Sequence, residues 1–369
     1  MAFYPGIDPS TEEGKRIAER LLSLKSLLKK KKDPDSGGIP HKTLDKSILI
    51  ATWNIREFGR NKMYGSRLFE SLYFIAEIIS AFDVIALQEV NEDLTDLRRI
   101  MKLLGRSWKY LLTDITLGRQ GNGERMAFLY DSRKVKFEGL ASQVVIPPKV
   151  ERDKKTYYPR RQLARTPMMV GFKSGWFKFT ICTAHIYYGK AVADEPTRLM
   201  EVEILAEMLA ERARSEHAWA PNMILLGDFN IFKPTDKTAQ AIERAGFFIP
   251  PQLSQFEAGE SGKHYDQIAF YSPKYEIQQK KRTMYAPAGV VRFFDKVFTD
   301  EDEALYAGQM GEGYAGVKGP QARTTYYRTW RTYQMSDHRP MWIELSTDFS
   351  SGYLANAMRG KGRKFPFED

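Results

Sequence analysis

Met223-Ile224-Leu225-Leu226-Gly227-Asp228-Phe229-Asn230 reads as a buried strand that ends in polar chemistry. Four consecutive apolar residues have the length and composition of a strand covered on both faces. Gly227 breaks the run, and Asp228 and Asn230 follow. Side chains alternate across an extended chain, so Asp228 and Asn230 share one face and Phe229 takes the other. Read alone, the segment could equally be an Asx turn, because Asp and Asn satisfy local backbone groups readily. The same arrangement recurs at other strand ends along the chain.

Composition sets the frame. The 369 residues are 43% apolar and 13% aromatic, enough for one large domain or two small ones. No apolar run reaches the length of a membrane span, and residues 1–6 lack the basic-then-apolar order of a secretory signal. A single cysteine, Cys182, rules out an intrachain disulfide. A reducing cytoplasm is the resulting expectation, with export that leaves no simple signal still open. The net charge is +10, and residues 47–350 keep +5 of it. That suits a polyanionic partner and is also an ordinary solubility feature.

Residues 10–32 predict a helix, with Ser10 and Glu13 as a capping box and Ile17, Leu21, Leu24 and Leu28 as one apolar stripe. Lys29 to Lys32 suit its C-terminal dipole. The helix either packs on the body or serves as a docking arm. Residues 33–46, with Pro34, Gly37, Gly38 and Pro40, form a linker. In the body, a strand over 48–51 delivers Trp53 and Asn54 past its end, and a strand over 84–87 delivers Gln88 and Glu89. Helices are expected over 68–81 and 94–104. The turn 121–124 carries Glu124 into a strand over 125–130. Residues 149–165 set Lys149, Arg152, Lys154, Lys155, Arg160, Arg161 and Arg165 around Tyr157 and Tyr158, either a phosphate- and base-gripping loop or an exposed hairpin.

A strand over 177–184 delivers His185, and a helix over 197–214 turns Leu199, Ile204, Leu205, Met208 and Leu209 inward. Asp266 starts a strand over 265–270. Residues 271–335 look long and irregular and end in Arg323 to Tyr333, a substrate contact or an amphipathic strand. Ser336-Asp337-His338 then leads into a strand over 341–345. The tail from Ser350 has the Gly- and Lys/Arg-rich composition of disorder. No internal repeat is present. Strands outnumber helices without strict alternation, which predicts sheets packed face to face with helices outside, as one domain.

The polar residues at these strand ends are Asn54, Glu89, Glu124, His185, Asp228, Asn230, Asp266, Asp337 and His338. Each alone has a plain structural reading: His185 as a core histidine, His338 as a turn histidine, Glu89 as a solvated charge, Glu124 as an exposed acid in a Gly-rich turn. His41, His217 and His264 read as surface or structural residues, with His264 beside Asp266. HExxH, CxxC pairs, the phosphate-binding GxxxxGK[ST] loop and GxSxG are all missing, so a serine or cysteine nucleophile has no support. Oxygen donors without thiolates suit a hard cation, Mg²⁺, Mn²⁺ or Ca²⁺. Histidines near carboxylates suit proton transfer near neutral pH. Together these are the needs of in-line phosphoester hydrolysis.

Ile50-Ala51-Thr52-Trp53-Asn54-Ile55-Arg56, Leu87-Gln88-Glu89-Val90, Thr183-Ala184-His185, Gly227-Asp228-Phe229-Asn230, Tyr265-Asp266 and Ser336-Asp337-His338 resemble, in order, the motifs of the endonuclease/exonuclease/phosphatase family. With the strands that carry them they span residues 48–345. Asn54 to Gly59, Glu124-Arg125 and Arg165-Thr166-Pro167 are most similar to its deoxyribonuclease I-like nucleases. The resemblance implies an α/β (α+β) four-layer sandwich of two mainly antiparallel sheets with outer helices, and a Mg²⁺-dependent phosphodiesterase or phosphatase. On it, Asn54, Glu89 and Asp337 hold the metal, His185 pairs with Glu124, and His338 pairs with Asp266. Asp228 and Asn230 orient water and stabilise the transition state, and Arg165 contacts phosphate.

The implied domain covers 47–348, after the helix and linker 1–46 and before the basic tail 349–369. The implied partner is nucleic acid, DNA before RNA, cut by an endonuclease. A phosphatase or phospholipase C-like hydrolase of inositol phosphates, sphingomyelin or nucleotides is the alternative, and a non-catalytic binding module a third. Phe247 to Pro250 is the nearest candidate for a lipid-directed hairpin and reads as core. Asn91 and Asn122 stand where such nucleases carry an arginine and a tyrosine that read the minor groove, which weighs against duplex DNA. The N-terminal helix and residues 271–335 match no part of the family pattern.

Overall fold

The computed structural model describes residues 2–29, 38–59, 63–150, 157–259, 262–271 and 287–359. Lys30 to Lys32, Pro34 and Gly37 of the linker, and Arg152, Lys154 and Lys155 of the basic loop lie outside them, as do 272–286 and 360–369. In chain order the helices are α1 (Glu12–Leu28), α2 (Phe69–Ser80), α3 (Thr95–Leu104), α4 (Pro196–Arg214), α5 (Lys237–Arg244), α6 (Pro251–Ser254), α7 (Ala307–Ala315), α8 (Pro320–Gln334) and α9 (Ser350–Met358). The strands are β1 (Ser47–Phe58), β2 (Val84–Val90), β3 (Trp108–Leu112), β4 (Arg125–Asp131), β5 (Lys136–Gln143), β6 (Lys149–Val150), β7 (Tyr157–Tyr158), β8 (Met168–Ser174), β9 (Phe177–His185), β10 (Met223–Asp228), β11 (Asp266–Tyr271), β12 (Ala288–Val290) and β13 (Met341–Ser346).

Two mixed sheets carry the fold. One has the order β12-β13-β1-β2-β4-β3, the other β11-β10-β9-β8-β5. Each contains one parallel pair, β1 with β2 and β9 with β10, and is otherwise antiparallel. Ile48, Ile50, Val84 and Ala86 from the first sheet meet Val170, Phe172, Ile181, Ile224 and Leu226 from the second in the inter-sheet core. The alternate residues Leu49, Ala51, Trp53 and Ile55 face outward into a layer with α1 and α2. Cys182, Leu225 and Phe229 likewise face α4 and α5. The result is four layers, helix-sheet-sheet-helix. Strands covered on both faces have no reason to alternate, which is why Met223 to Leu226 is uniformly apolar.

Several local expectations change. The cap of α1 is Thr11, whose hydroxyl accepts from Gly14 N–H at 3.0 Å. Asp8 draws away Ser10, accepting from its N–H at 2.9 Å and its hydroxyl at 2.6 Å, so Ser10 cannot cap. β1 does not stop at Ala51 but runs to Phe58, so Asn54 lies inside it. In α4 the buried face is Val202, Leu205, Ala206, Leu209 and Ala210; Leu199, Ile204 and Met208 are only partly buried. Arg323 to Tyr333 belongs to α8, not to a strand or irregular chain. Gly319 (φ +90°) and Pro320 at the first turn start that helix, and its aromatic side buries Tyr327 and Trp330 in the outer core. Within the tail, Ser350–Met358 is helical as α9. Phe247 is buried, as core.

Candidate active site

Register builds the site. Asp228 at the end of β10 stands opposite His185 on β9 and opposite Asp266 on β11. One transverse row of the second sheet therefore carries three polar residues. Gly227 makes that row possible: its φ is +133°, and a Cβ there would lie 2.0 Å from the Ala184 carbonyl oxygen. β1 and β2 bring their own row up against it, with Asn54 opposite Gln88. Asn54 Nδ2 donates across the sheets to Asp228 Oδ2 at 3.0 Å and within its sheet to Glu89 Oε1 at 2.9 Å. Gln88 Nε2 donates across to Thr183 Oγ1 at 2.8 Å, a second tie at the same level.

The two histidines flank Asp228. His185 Nε2 lies 3.6 Å and His338 Nε2 3.7 Å from Asp228 Oδ2. Each imidazole has a carboxylate behind it: His338 Nδ1 sits 2.6 Å from Asp266 Oδ2, and His185 Nδ1 2.9 Å from Glu124 Oε2. Burial alone would favour neutral His338, but Asp266 and Asp228 outweigh it and raise its pKa well above the ordinary value. Burial and Arg165 push His185 down, yet Glu124 and Asp228 carry it up. Burial lifts the Asp266 carboxyl to about 6, against the pull of His338. Burial would lift Asp228 as well, but the histidines and the Asn54 hydrogen bond hold it low. The Tyr265 ring stacks on His338 at 5.5 Å between centroids.

Glu124 and Glu89 complete the other side. Arg165 Nε donates to Glu124 Oε2 at 2.9 Å and Asn122 Nδ2 to Oε1 at 2.8 Å. Burial opposes the Glu124 charge, but His185 and Arg165 bring its pKa down to about 2. Arg165, expected on a phosphate, thus braces an acid, and its Nη1 is buried without a hydrogen-bond partner. Glu89 adopts φ +59° and accepts from the Glu57 N–H at 2.9 Å. Burial, and the charge of Glu124, raise its pKa. One ligand atom each of Glu89, Glu124 and His185 falls within 4.8 Å of the others.

The residues fit a divalent cation. Asn54 Oδ1 is buried without a hydrogen-bond partner, although its Nδ2 is doubly engaged. An orphaned carbonyl beside Glu89 is a ready hard-oxygen ligand. Asp337 stands outside the three-residue cluster, its side chain 38% exposed and 3.5 Å from Arg56 Nη1. Arg56 is itself held by Thr332 and lies over the Tyr333 ring at 4.0 Å, a restraint that α8 supplies.

Asn230 closes the turn after β10. It adopts φ +54°, donates its N–H to Asp228 Oδ1 at 2.9 Å, and donates Nδ2 to the Ile186 carbonyl at 2.8 Å. His264 offers its carbonyl to Gln267 Nε2 at 3.0 Å. In the basic loop, Tyr157 and Tyr158 form the exposed two-residue strand β7, paired with β6. Glu201 is a residue that sequence reasoning passes over. Buried on α4, it accepts from Ala164 N–H at 2.7 Å and Tyr187 N–H at 3.0 Å, so one carboxylate fixes the Arg165 loop and the segment after His185. A glutamate on a helix carries no sequence signal for that role.

Comparison with known proteins gives the family of the chain. Residues 51–338 match the model of the Endonuclease/Exonuclease/phosphatase family. The chain is 26% identical to bovine deoxyribonuclease-1 over 225 residues, which are 59% of this chain and 67% of that protein. Among solved structures, the human Nocturnin catalytic domain superposes with a TM-score of 0.50 at 13% identity, covering 81% of this chain and 93% of that one. That likeness shows the fold. No described helix is long and apolar enough to cross a membrane.

Proposed function

This chain belongs to the Endonuclease/Exonuclease/phosphatase family, and from there we propose that it is a Mg²⁺-dependent endonuclease that hydrolyses phosphodiester bonds of nucleic acid, DNA before RNA. At the coarser level, members of the family are divalent-metal-dependent phosphoric ester hydrolases. The observation that carries the reading is Asp228 Oδ2 set between two imidazole Nε2 atoms, each imidazole backed by its own carboxylate. The 26% identity to bovine deoxyribonuclease-1 supports nucleic acid as the substrate class, as does the net charge of +10.

Glu89, Asn54 through Oδ1, and Asp337 would hold the ion, with Mn²⁺ or Ca²⁺ as alternatives to Mg²⁺. When bound, it neutralises charge on the phosphate oxygens. The chain's own residues do the rest. Asp266 fixes the Nδ1 side of His338, and Glu124 that of His185, so both Nε2 atoms turn toward Asp228 and the reacting phosphate. Hydrolysis requires one proton taken from water and one given to the leaving oxygen, and the two imidazoles beside Asp228 would supply one transfer each. Asp228, ionised between them, holds the attacking water and stabilises the imidazolium. Asn230 fixes Asp228 through its N–H, and Arg165, braced on Glu124, would contact substrate phosphate.

The test is a gel with supercoiled plasmid, linear duplex, single-stranded DNA and RNA, with Mg²⁺ and with chelator. Nicking that needs metal and disappears in His338→Ala is the expected result. Glu89→Gln should raise the Mg²⁺ concentration for half-maximal activity at least about tenfold. Four intact substrates at every metal concentration would overturn the nuclease reading and leave small phosphoesters as substrates.

A further inference from the structure

Lys136, Lys173 and Lys178 stand directly opposite one another across three antiparallel strands. Lys136 on β5 pairs with Lys173 on β8, which pairs with Lys178 on β9. Phe172 and Phe177 beside them point into the inter-sheet core, and Phe137 packs on Phe172. Alternation therefore sends the three lysines to the outer face of the second sheet. All three are exposed, and none has an ion-pair partner among the described residues. Glu138 follows on the same edge strand and makes no ion pair with them. Like charges directly opposite destabilise a sheet. The row costs stability in the isolated protein and points to an anion that comes from outside.

The surface around the row is prepared. Helix α4 covers the outer face near Cys182 and Leu225. Closer to the row, the Trp219 ring lies on the sheet instead. Gly171, opposite Thr180, makes room for it: a Cβ there would lie 2.6 Å from the ring. Lys178 Nζ lies over the same ring, 4.3 Å from its centre, which holds that ammonium in place. Asn222 Nδ2 fixes the backbone below it by donating to the Lys178 carbonyl at 3.0 Å. Gly175 (φ +56°) and Trp176 make the tight turn that joins β8 to β9 beside the row. Trp176 is 55% exposed, and the Tyr353 ring backs it at 5.8 Å. From Lys178, strand β9 runs on to His185 at its far end, a distance of about 23 Å at the usual rise of a strand. The row is thus at the opposite end of the sheet from the catalytic cluster.

We propose that this face is an exosite for nucleic acid, a second grip on the phosphate backbone remote from the cut. Lysines on strands about 4.8 Å apart are point charges that meet phosphates without regard to sequence. The exposed Trp176 indole offers a face to a base. The lysine side chains stand roughly perpendicular to the sheet, whereas the turn points along it. A flexible strand can cross the row and turn past the tip. A planar bilayer meeting the tip would lie edge-on to the row and leave the lysines without a partner. The inference rests on the nuclease reading above and extends it: a strand long enough to reach both places binds more tightly than a short one.

The experiment measures binding of the full chain to a fluorescein-labelled single-stranded oligodeoxynucleotide of about 30 nucleotides, by anisotropy in the presence of chelator. Chelator separates binding from cleavage. In the triple variant Lys136→Gln, Lys173→Gln, Lys178→Gln, Kd at about 100 mM salt should rise at least about tenfold. The slope of log Kd against log salt should fall by about 2, roughly 0.7 for each lost contact. The thermal midpoint should hold or rise, because repulsion across the strands is removed. Should it fall, Lys136→Gln alone, on the edge strand, keeps the test with Kd up about threefold. A control with the same net charge, Lys15→Gln, Lys102→Gln, Lys318→Gln, should bind within about twofold of the parent. An unchanged Kd in the row variants, or an equal loss in the control, overturns the exosite and leaves the nuclease reading standing. Loss of sedimentation with phosphatidylserine vesicles at an unchanged Kd for the strand overturns it too, in favour of a lipid contact. A parent protein that hydrolyses methyl p-nitrophenyl phosphate, a phosphodiester without a nucleoside, but neither binds nor cuts the strand overturns both readings.

Discussion

Glu124 shows how much of the site a single residue can carry. It faces His185, Arg165 and Asn122 at once, and its folded pKa is about 2 against an ordinary 4.5. A carboxyl whose pKa is depressed on folding stabilises the native state above its unfolded pKa, and that stabilisation is lost as pH falls toward the folded value. The expected outcome is a loss of roughly 3 kcal/mol between about pH 4.5 and pH 2. Urea unfolding of the parent and Glu124→Gln across that window checks it: the variant should be less stable at pH 6 and show a shallower acid slope. Gly227 is the other decisive residue. Gly227→Ala combines φ +133° with a 2.0 Å approach to the Ala184 carbonyl and should cost about 3 kcal/mol or more, read as a shift in denaturation midpoint. At this scale the strand-end residues are legible because polar groups after apolar runs stand out. Glu201 is not, because a helical glutamate looks the same whether or not it braces two loops.

Elements were legible where one periodicity dominates. The stripe Ile17, Leu21, Leu24 and Leu28 predicts α1, and all four side chains are buried in the outer core with α2. The cap lies one residue later than the sequence suggests because Asp8, which captures Ser10, acts from outside the helix pattern. Helix α8 is hidden in the sequence for a different reason. Its Thr, Tyr and Trp residues favour strands intrinsically, and the helix forms because tertiary burial of Tyr327 and Trp330 outweighs that preference. Such packing is nonlocal, and one strand's worth of sequence does not contain it. Because α1 packs on the outer layer against α2, Leu24→Ala should cost about 2–5 kcal/mol of stability while leaving kcat within about twofold. Thermal unfolding alongside a cleavage assay separates the two. A matched loss of kcat would instead place α1 in the active conformation of the site.

For the whole molecule, apolar runs in the sequence imply strands buried on both faces, and hence four layers, but strand order is silent in them. Which strands pair depends on register, and register is what sets His185, Asp228 and Asp266 in one row. The site therefore became legible as a set of residue types before it was legible as a geometry. Charge is the remaining global property. A net charge of +10 has two readings, a footprint for a polyanion or a solubility feature, and they differ in how salt acts. If the surface neutralises phosphates along a strand, each contact releases condensed counterions, and log(kcat/KM) falls linearly with log salt by about 0.7 per contact on a single strand and about 0.9 on a duplex. A small phosphodiester would engage only the proposed catalytic cluster, where buried charges are screened much less than exposed ones. The expected outcome between about 50 and 200 mM salt is a slope steeper than about −2 for the oligonucleotide and nearly flat kinetics for methyl p-nitrophenyl phosphate. Equal slopes for the two substrates would mean that the basic surface takes no part in binding, and that recognition lies in the cluster alone.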